Sequence, residues 1–316
     1  MVFVFLLSGE GGLLSKIELA SLLELIGIPP SLDSLTDRFV SLRTHVDGSS
    51  LNKLIEILGR RSSYTKAILR RISEFSLENP ERDIREAVIS AINSLNPKVV
   101  HLVLEAPLKR KIVDTSLVTT HNPSGRGEVY ILQLLNKVIV LELVASFRKT
   151  DLKIRERSQK GYGIPLKPHL ARAMINLSGC GDNSLIMDPS LTSPSIARES
   201  LLMGLRFVGI YGDEKTAKKL SLELASYGFS LGREFRLFKS SRELGSLTAD
   251  SIVSLTEDWQ RINSAWKYLR EGGKASILAP PSPSVRHLER AVLLKSYKLK
   301  VGKKLMNLCL LEKRIG

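Results

Sequence analysis

Residues 185–214, LIMDPSLTSPSIARESLLMGLRFVGIYGDE, carry the arrangement in this chain best suited to chemistry. An apolar run ends in Asp188-Pro189, a small-residue turn and a helix follow, and a second apolar run ends near an acid, Asp213. That is the layout of a cofactor-binding turn at the carboxyl end of a strand. Such a turn depends on glycine, because the polar end of a cofactor must approach bare backbone. Residues 189–195 (Pro-Ser-Leu-Thr-Ser-Pro-Ser) contain none. Pro194 removes a backbone donor and fixes φ, and β-carbons crowd the place of a ligand. Asp188 reads equally as a cap of its own turn, and Asp213 as the N-cap of the next helix.

A second candidate follows ADSIV (249–253): Ser254-Leu255-Thr256-Glu257-Asp258-Trp259. Glu257 or Asp258 could accept a hydrogen bond from an amine, and Trp259 could stack on a base. The competing reading is that these residues cap and start the helix that follows. APPSPS (279–284) offers a Pro-Pro pair without an acid or an aromatic. His45, His101, His121, His169 and His287 show no HxxxH or HxH spacing, so no metal is expected. Cys180 and Cys309 form no CxxC and no disulfide framework, which suits a reducing cytosol. No GxSxG elbow occurs, and GEGG (9–12) lacks a following GKS/T, so it reads as a strand-to-helix turn.

Charge narrows the partners. The chain holds 47 Lys+Arg against 32 Asp+Glu, a net +15. Residues 1–150 carry +3 and residues 151–316 carry +12, which points to a polyanion. The densest clusters are residues 148–172 and 286–316. Arg148, Lys149, Lys153, Arg155, Arg157 and Lys160, with Lys298, Lys300, Lys303 and Lys304, are candidates for phosphate contact. Tyr162 is a candidate for base stacking, or equally for packing. The opening MVFVFLL lacks a basic flank, and the apolar stretch 129–145 is broken by Gln133, Asn136, Lys137 and Glu142. The expectation is a soluble, cytoplasmic protein with no membrane partner.

The elements that would position these residues fall into two halves. Strands at 2–7, 38–44, 98–106 and 137–147 and helices at 14–27, 50–61 and 82–95 predict an α+β region over residues 1–150. Residues 151–167, basic and rich in Gly and Pro, read as a linker. Residues 168–316 then alternate. Helices are expected at 168–178, 195–203, 213–227 and 259–270, and strands at 184–188, 206–211, 234–239, 250–255, 274–279 and 304–312. That pattern predicts an α/β domain with a doubly wound, mostly parallel sheet.

KPHLARAMINLSG (167–179) followed by DNSLIMDP (182–189) resembles the archaeal and eukaryotic tRNA guanine-N2 methyltransferases. The likeness extends through LREGGKASILAP (269–280) and the basic hairpin YKLKVGKKLMNLCLLEKR (297–314), and more loosely to the N-terminal half. It implies a THUMP-like RNA-binding region, a Rossmann-like methyltransferase domain, and tRNA or another structured RNA as partner. It also implies S-adenosylmethionine as cofactor if the chain is active, with Asp188, Pro189 and Asp213 as remnants of its site. The family carries Cys-Gly-Thr-Gly-Gly after Asp-Pro, an acid where Tyr211 stands, and Asp/Asn-Pro-Pro-Tyr/Phe where this chain has Leu255-Thr256-Glu257-Asp258. These departures predict lost or impaired catalysis and no bound cofactor. An active methyltransferase with a divergent site, or a non-catalytic subunit of a homologous catalytic one, are the alternatives.

Overall fold

The computed structural model describes residues 2–44, 46–77, 80–104, 127–147, 166–281 and 288–314. Residues 151–165 of the expected linker lie outside the described residues, as do Arg148, Lys149, Lys153, Arg155, Arg157, Lys160 and Tyr162, and likewise His45, His121 and His287. The chain divides into two compact units. One comprises Met1–Gly59 and Tyr64–Arg148, the other Arg60–Ser63 and Lys149–Gly316.

The first unit runs β1 (Phe3–Leu7), α1 (Leu13–Leu25), β2 (Leu32–Ser34), β3 (Phe39–Leu42), α2 (Gly48–Arg61), β4 (Thr65–Ser76), α3 (Pro80–Leu95), β5 (Val99–Leu104), β6 (Glu128–Gln133) and β7 (Lys137–Ser146). Its seven-stranded sheet has the order β2-β3-β1-β4-β7-β6-β5. Only the β5–β6 pairing is parallel. β1 is apolar throughout because both its faces are covered. Phe3, Phe5 and Leu7 pack with Leu19, Leu22 and Leu23 of α1 and Leu54 and Leu58 of α2. Val4 and Leu6 pack with Ala67, Leu69, Ile139 and Leu141. Each such side chain, fully buried, contributes about 1.5–3 kcal/mol before entropy is counted. The turn into α1 needs Gly12, whose φ is +48°. β4 and β6 are not among the strands that the sequence predicts. β4 is half-exposed along its outer length, and its charges (Lys66, Arg70, Arg71, Glu74) mask the alternation.

The second unit runs α4 (Pro168–Leu177), β8 (Leu185–Asp188), α5 (Pro194–Leu202), β9 (Arg206–Ile210), α6 (Glu214–Ser226), β10 (Phe235–Phe238), β11 (Ala249–Leu255), α7 (Trp259–Trp266), β12 (Leu269–Ala279), β13 (Ala291–Val301) and β14 (Lys304–Lys313). The sheet order is β10-β9-β8-β11-β12-β14-β13. The first five strands are parallel, and β14 and β13 close the sheet as an antiparallel hairpin. This is the doubly wound, mostly parallel architecture. Met187, Val208, Ile252, Ile277 and Leu311 form its core with Trp266, whose indole N–H donates to the Glu289 carbonyl at 2.7 Å. β12 begins at Leu269, within the stretch expected as helix, because α7 ends after eight residues at Trp266. Strand order reverses between β8 and β11. A ligand of such a sheet belongs at the carboxyl ends of these two strands.

Candidate functional site

Asp188 ends β8 and is fully buried. Its Oδ1 accepts from the Ser190 backbone N–H at 3.0 Å and from Ser254 Oγ of β11 at 2.6 Å. Its Oδ2 is buried and has no hydrogen-bond partner among the described residues. Burial pushes the carboxyl up to about 6, partly opposed by the bonds from Ser254 and Ser190 and by the Arg261 charge. Asp188 therefore links the two strands at the reversal point as well as its own turn.

The turn itself is closed. Leu191 holds φ +44°, the left-handed region that favours glycine, so the backbone keeps a glycine-type bend although a leucine occupies it. Its side chain is buried and crosses β9 at Gly209, where a β-carbon would lie 2.8 Å from Leu191 Cδ1. Glycine is thus present one strand away from where a ligand would need it. Thr192 Oγ1 donates to the Leu255 carbonyl at 2.6 Å, a second bond across the crevice. Ser193 caps α5, Pro194 is its first residue, and Ser195 Oγ donates to the Leu166 carbonyl at 2.6 Å. Pro189, Ser190, Ser193, Pro194 and Ser195 are all buried.

The other sequence candidates serve as helix starts and ion pairs. Asp213 caps α6, accepting from the Thr216 N–H and Thr216 Oγ1, both at 2.8 Å. These bonds hold its carboxyl below the usual range. Asp258 caps α7, accepting from the Gln260 N–H at 2.9 Å. Glu257 pairs with Lys304, so an amine-acceptor candidate and a phosphate candidate meet each other. Trp259 packs against the core, and its buried indole N–H has no partner among the described residues. Leu255 is fully buried.

Arg261 of α7 is a residue that the sequence reading does not single out. Its guanidinium passes over Gly212, where a β-carbon would stand 2.7 Å from Nη2, and Nη1 lies 3.4 Å from the Ser190 carbonyl. A cation thus spans from the β8 turn to the end of β9. Spacing could not reveal it, since the arginine comes from a helix about fifty residues downstream.

The turn's bend is filled by Leu191, its lips are joined by Ser254–Asp188 and Thr192–Leu255, and Asp213 is committed to its own helix. Among the described residues no group of His, Cys, Asp and Glu has the makings of a metal site, and no helix is long and apolar enough to cross a membrane.

In the motif helix α4, Arg172 Nε donates to Glu199 of α5 at 2.7 Å. Glu199 also meets Arg198, which in turn pairs with Glu223 at 2.8 Å. At the far edge, β13 presents Lys295, Lys298 and Lys300, and the turn after it Lys303, all exposed and without a carboxylate partner among the described residues. Lys295 extends the candidates that the sequence names. Lys313 belongs to the fold: its Nζ donates to the Leu269 carbonyl at 2.7 Å and the Lys267 carbonyl at 3.2 Å, closing the end of α7.

The second unit is a Rossmann-like, doubly wound sheet, and comparison with known structures agrees on the fold. TrmN from Thermus thermophilus superposes with a TM-score of 0.57 at 14% identity, covering 99% of this chain and 100% of that one. SMU.472, complexed with SAH, superposes with a TM-score of 0.54 at 12% identity, covering 100% and 99%. No family model matches. In sequence, the chain is 27% identical over 170 residues to the tRNA (guanine(10)-N2)-dimethyltransferase of Methanothermobacter thermautotrophicus, 49% of this chain and 51% of that protein. The chain spans about half the length of this curated relative. Over that stretch the chain is similar to a tRNA guanine-N2 methyltransferase.

Proposed function

We propose that this chain binds tRNA or a tRNA precursor in the cytoplasm and transfers no methyl group itself. The observation that carries the reading is the sealed crevice between β8 and β11. There Leu191 occupies a glycine-type bend, and Ser254 and Thr192 bond across to Asp188 and Leu255. A methyl donor and an amine must be held in line for transfer, and orientation supplies most of such a reaction. Here neither the donor's turn nor an acceptor loop is open: Asp258 caps a helix, Glu257 is paired, and Trp259 packs inward.

The nucleic-acid half of the reading rests on charge and on kinship to tRNA enzymes. Residues 151–316 carry +12, and β13 with its turn offers four exposed lysines. The first unit is proposed as the THUMP-like region and residues 151–167 as a basic linker. The linker cations Arg155, Arg157 and Lys160, with Tyr162 for stacking, are proposed to join Lys298, Lys300 and Lys303 on RNA. Filter binding of bulk tRNA at several salt concentrations, with tritiated S-adenosylmethionine present, tests both halves. Retention that falls steeply with salt, with no label on the tRNA, is expected. Label above that of a boiled control overturns the non-catalytic reading, and salt-independent or absent retention overturns RNA binding.

A further inference from the structure

A groove of about 480 Å³ opens at the amino ends of β8 and β9 and runs along β10. It is separate from the sealed crevice: Leu185 at its mouth precedes Asp188 by three residues, about 10 Å along β8. Pairing registers decide which side chains share its face. Leu185 stands opposite Arg206, and Val208 opposite Arg236, so Arg206 and Arg236 lie on one face of adjacent strands. With strands about 4.8 Å apart and a two-residue offset, their α-carbons are about 8 Å apart. Both side chains are exposed. Arg206, part of the lining, donates its Nε to the Asn183 carbonyl at 3.1 Å, and its Nη groups have no carboxylate partner among the described residues. Arg236 has no carboxylate partner among the described residues. The lining also holds Arg233, Glu234 and Glu243. Glu234 accepts from the Ser230 N–H at 2.8 Å and Glu243 from the Lys239 N–H at 3.0 Å, so both carboxylates are engaged by their own turns. Half-buried Phe238 and Leu247 supply an apolar floor beside the arginines.

Two guanidinium forks above an apolar floor suit one ligand chemistry, a phosphate ester joined to a flat apolar ring. A fork meets phosphate oxygens in pairs, and a base face covers apolar surface while its edge stays wet. The volume lies within the range of small-ligand sites. We infer that this groove binds a nucleotide unit, with Arg206 and Arg236 on phosphate and the base against Phe238 and Leu247. Its open form favours a single-stranded stretch of RNA over a free mononucleotide, and that choice of source rests on the RNA reading above.

The test measures fluorescence anisotropy of a labelled single-stranded RNA of about ten nucleotides, with GMP as competitor. The protein is the full chain, its R206A/R236A and R206K/R236K variants, and K298A/K300A for comparison. R206A/R236A is expected to bind about tenfold more weakly and to flatten the salt slope by about 1.4, at 0.7 per single-strand phosphate. R206K/R236K should keep the slope and lose affinity only a few-fold, because charge remains and the fork does not. Unchanged melting temperatures of the variants exclude misfolding. Displacement by GMP, abolished in R206A/R236A, would assign the site to free nucleotide; absence of displacement with loss of RNA affinity assigns it to the polymer. Variants that bind RNA like wild type, together with no GMP binding, overturn the groove while leaving RNA binding elsewhere intact. No RNA binding by wild type overturns the proposed function, and the groove then stands or falls on GMP alone.

Discussion

Replacing Asp188 by Asn should stabilise the protein at neutral pH and leave it unchanged in acid. The carboxyl is fully buried, bonded through Oδ1 to Ser254 and Ser190, and without a partner at Oδ2 among the described residues, and burial pushes its pKa up to about 6 against 3.8 for a free side chain. A folded-state pKa above the unfolded value means that the folded chain holds the proton more tightly. The contribution of Asp188 is therefore fully present below pH ~4 and is lost as pH rises through about 6. Roughly two pKa units at 1.36 kcal/mol each amount to about 3 kcal/mol. Asn cannot ionise, and its Oδ1 still accepts from Ser254 and Ser190. Urea unfolding of wild type and Asp188→Asn at steps from pH 4 to 7.5 measures the difference, in which all other carboxylates cancel. The gap should be near zero at pH 4 and open to about 3 kcal/mol in favour of the variant above pH 6. A gap independent of pH would mean instead that Asp188 ionises without cost in a wetter site.

Leu191→Gly should relieve a left-handed backbone worth about 1 kcal/mol but empty the space above Gly209, and large-to-small core changes cost about 2–5 kcal/mol. A net loss of roughly 2 kcal/mol in urea unfolding is expected, and a gain would show that the side chain is poorly packed. Asp213→Ala should lower the melting temperature above pH 5 and not in strong acid, because a carboxylate held low by its bonds stabilises above its titration range and loses that effect as pH falls. A thermal scan across pH reads this directly. Glycines introduced together at Thr192, Pro194 and Ser195 should not restore methyl transfer to tRNA, because Glu257, Asp258 and Trp259 remain occupied. Tritium incorporation by that triple variant would show the acceptor loop to be competent.

Much of the second unit is legible in the residues. The helix at Pro168, the strand ending in Asp188, the proline-started helix and the capping roles open to Asp213 and Asp258 all follow from local signals: period, capping residues and punctuation by Gly and Pro. What closes the crevice is not local. Ser254 reaches Asp188 and Thr192 reaches Leu255 across more than sixty residues, and Arg261 enters from another helix. The left-handed backbone at Leu191 is also hidden, because leucine rarely adopts it and only surrounding packing maintains it. In the first unit β4 eludes pattern reading, since its buried half and its exposed, charged half average to a polar segment.

On the proposed function, the crevice between β8 and β11 takes no cofactor, because Leu191 fills its bend and Ser254 and Thr192 bond across it. Calorimetric titration of the intact chain with S-adenosylmethionine, alone and then with saturating bulk tRNA, tests it most directly. No saturating heat is expected in either titration up to hundreds of micromolar. A saturating isotherm in the tens of micromolar, about −6 kcal/mol, would contradict it, because Leu191, Thr192 and Arg261 would then have to leave the positions that seal the site.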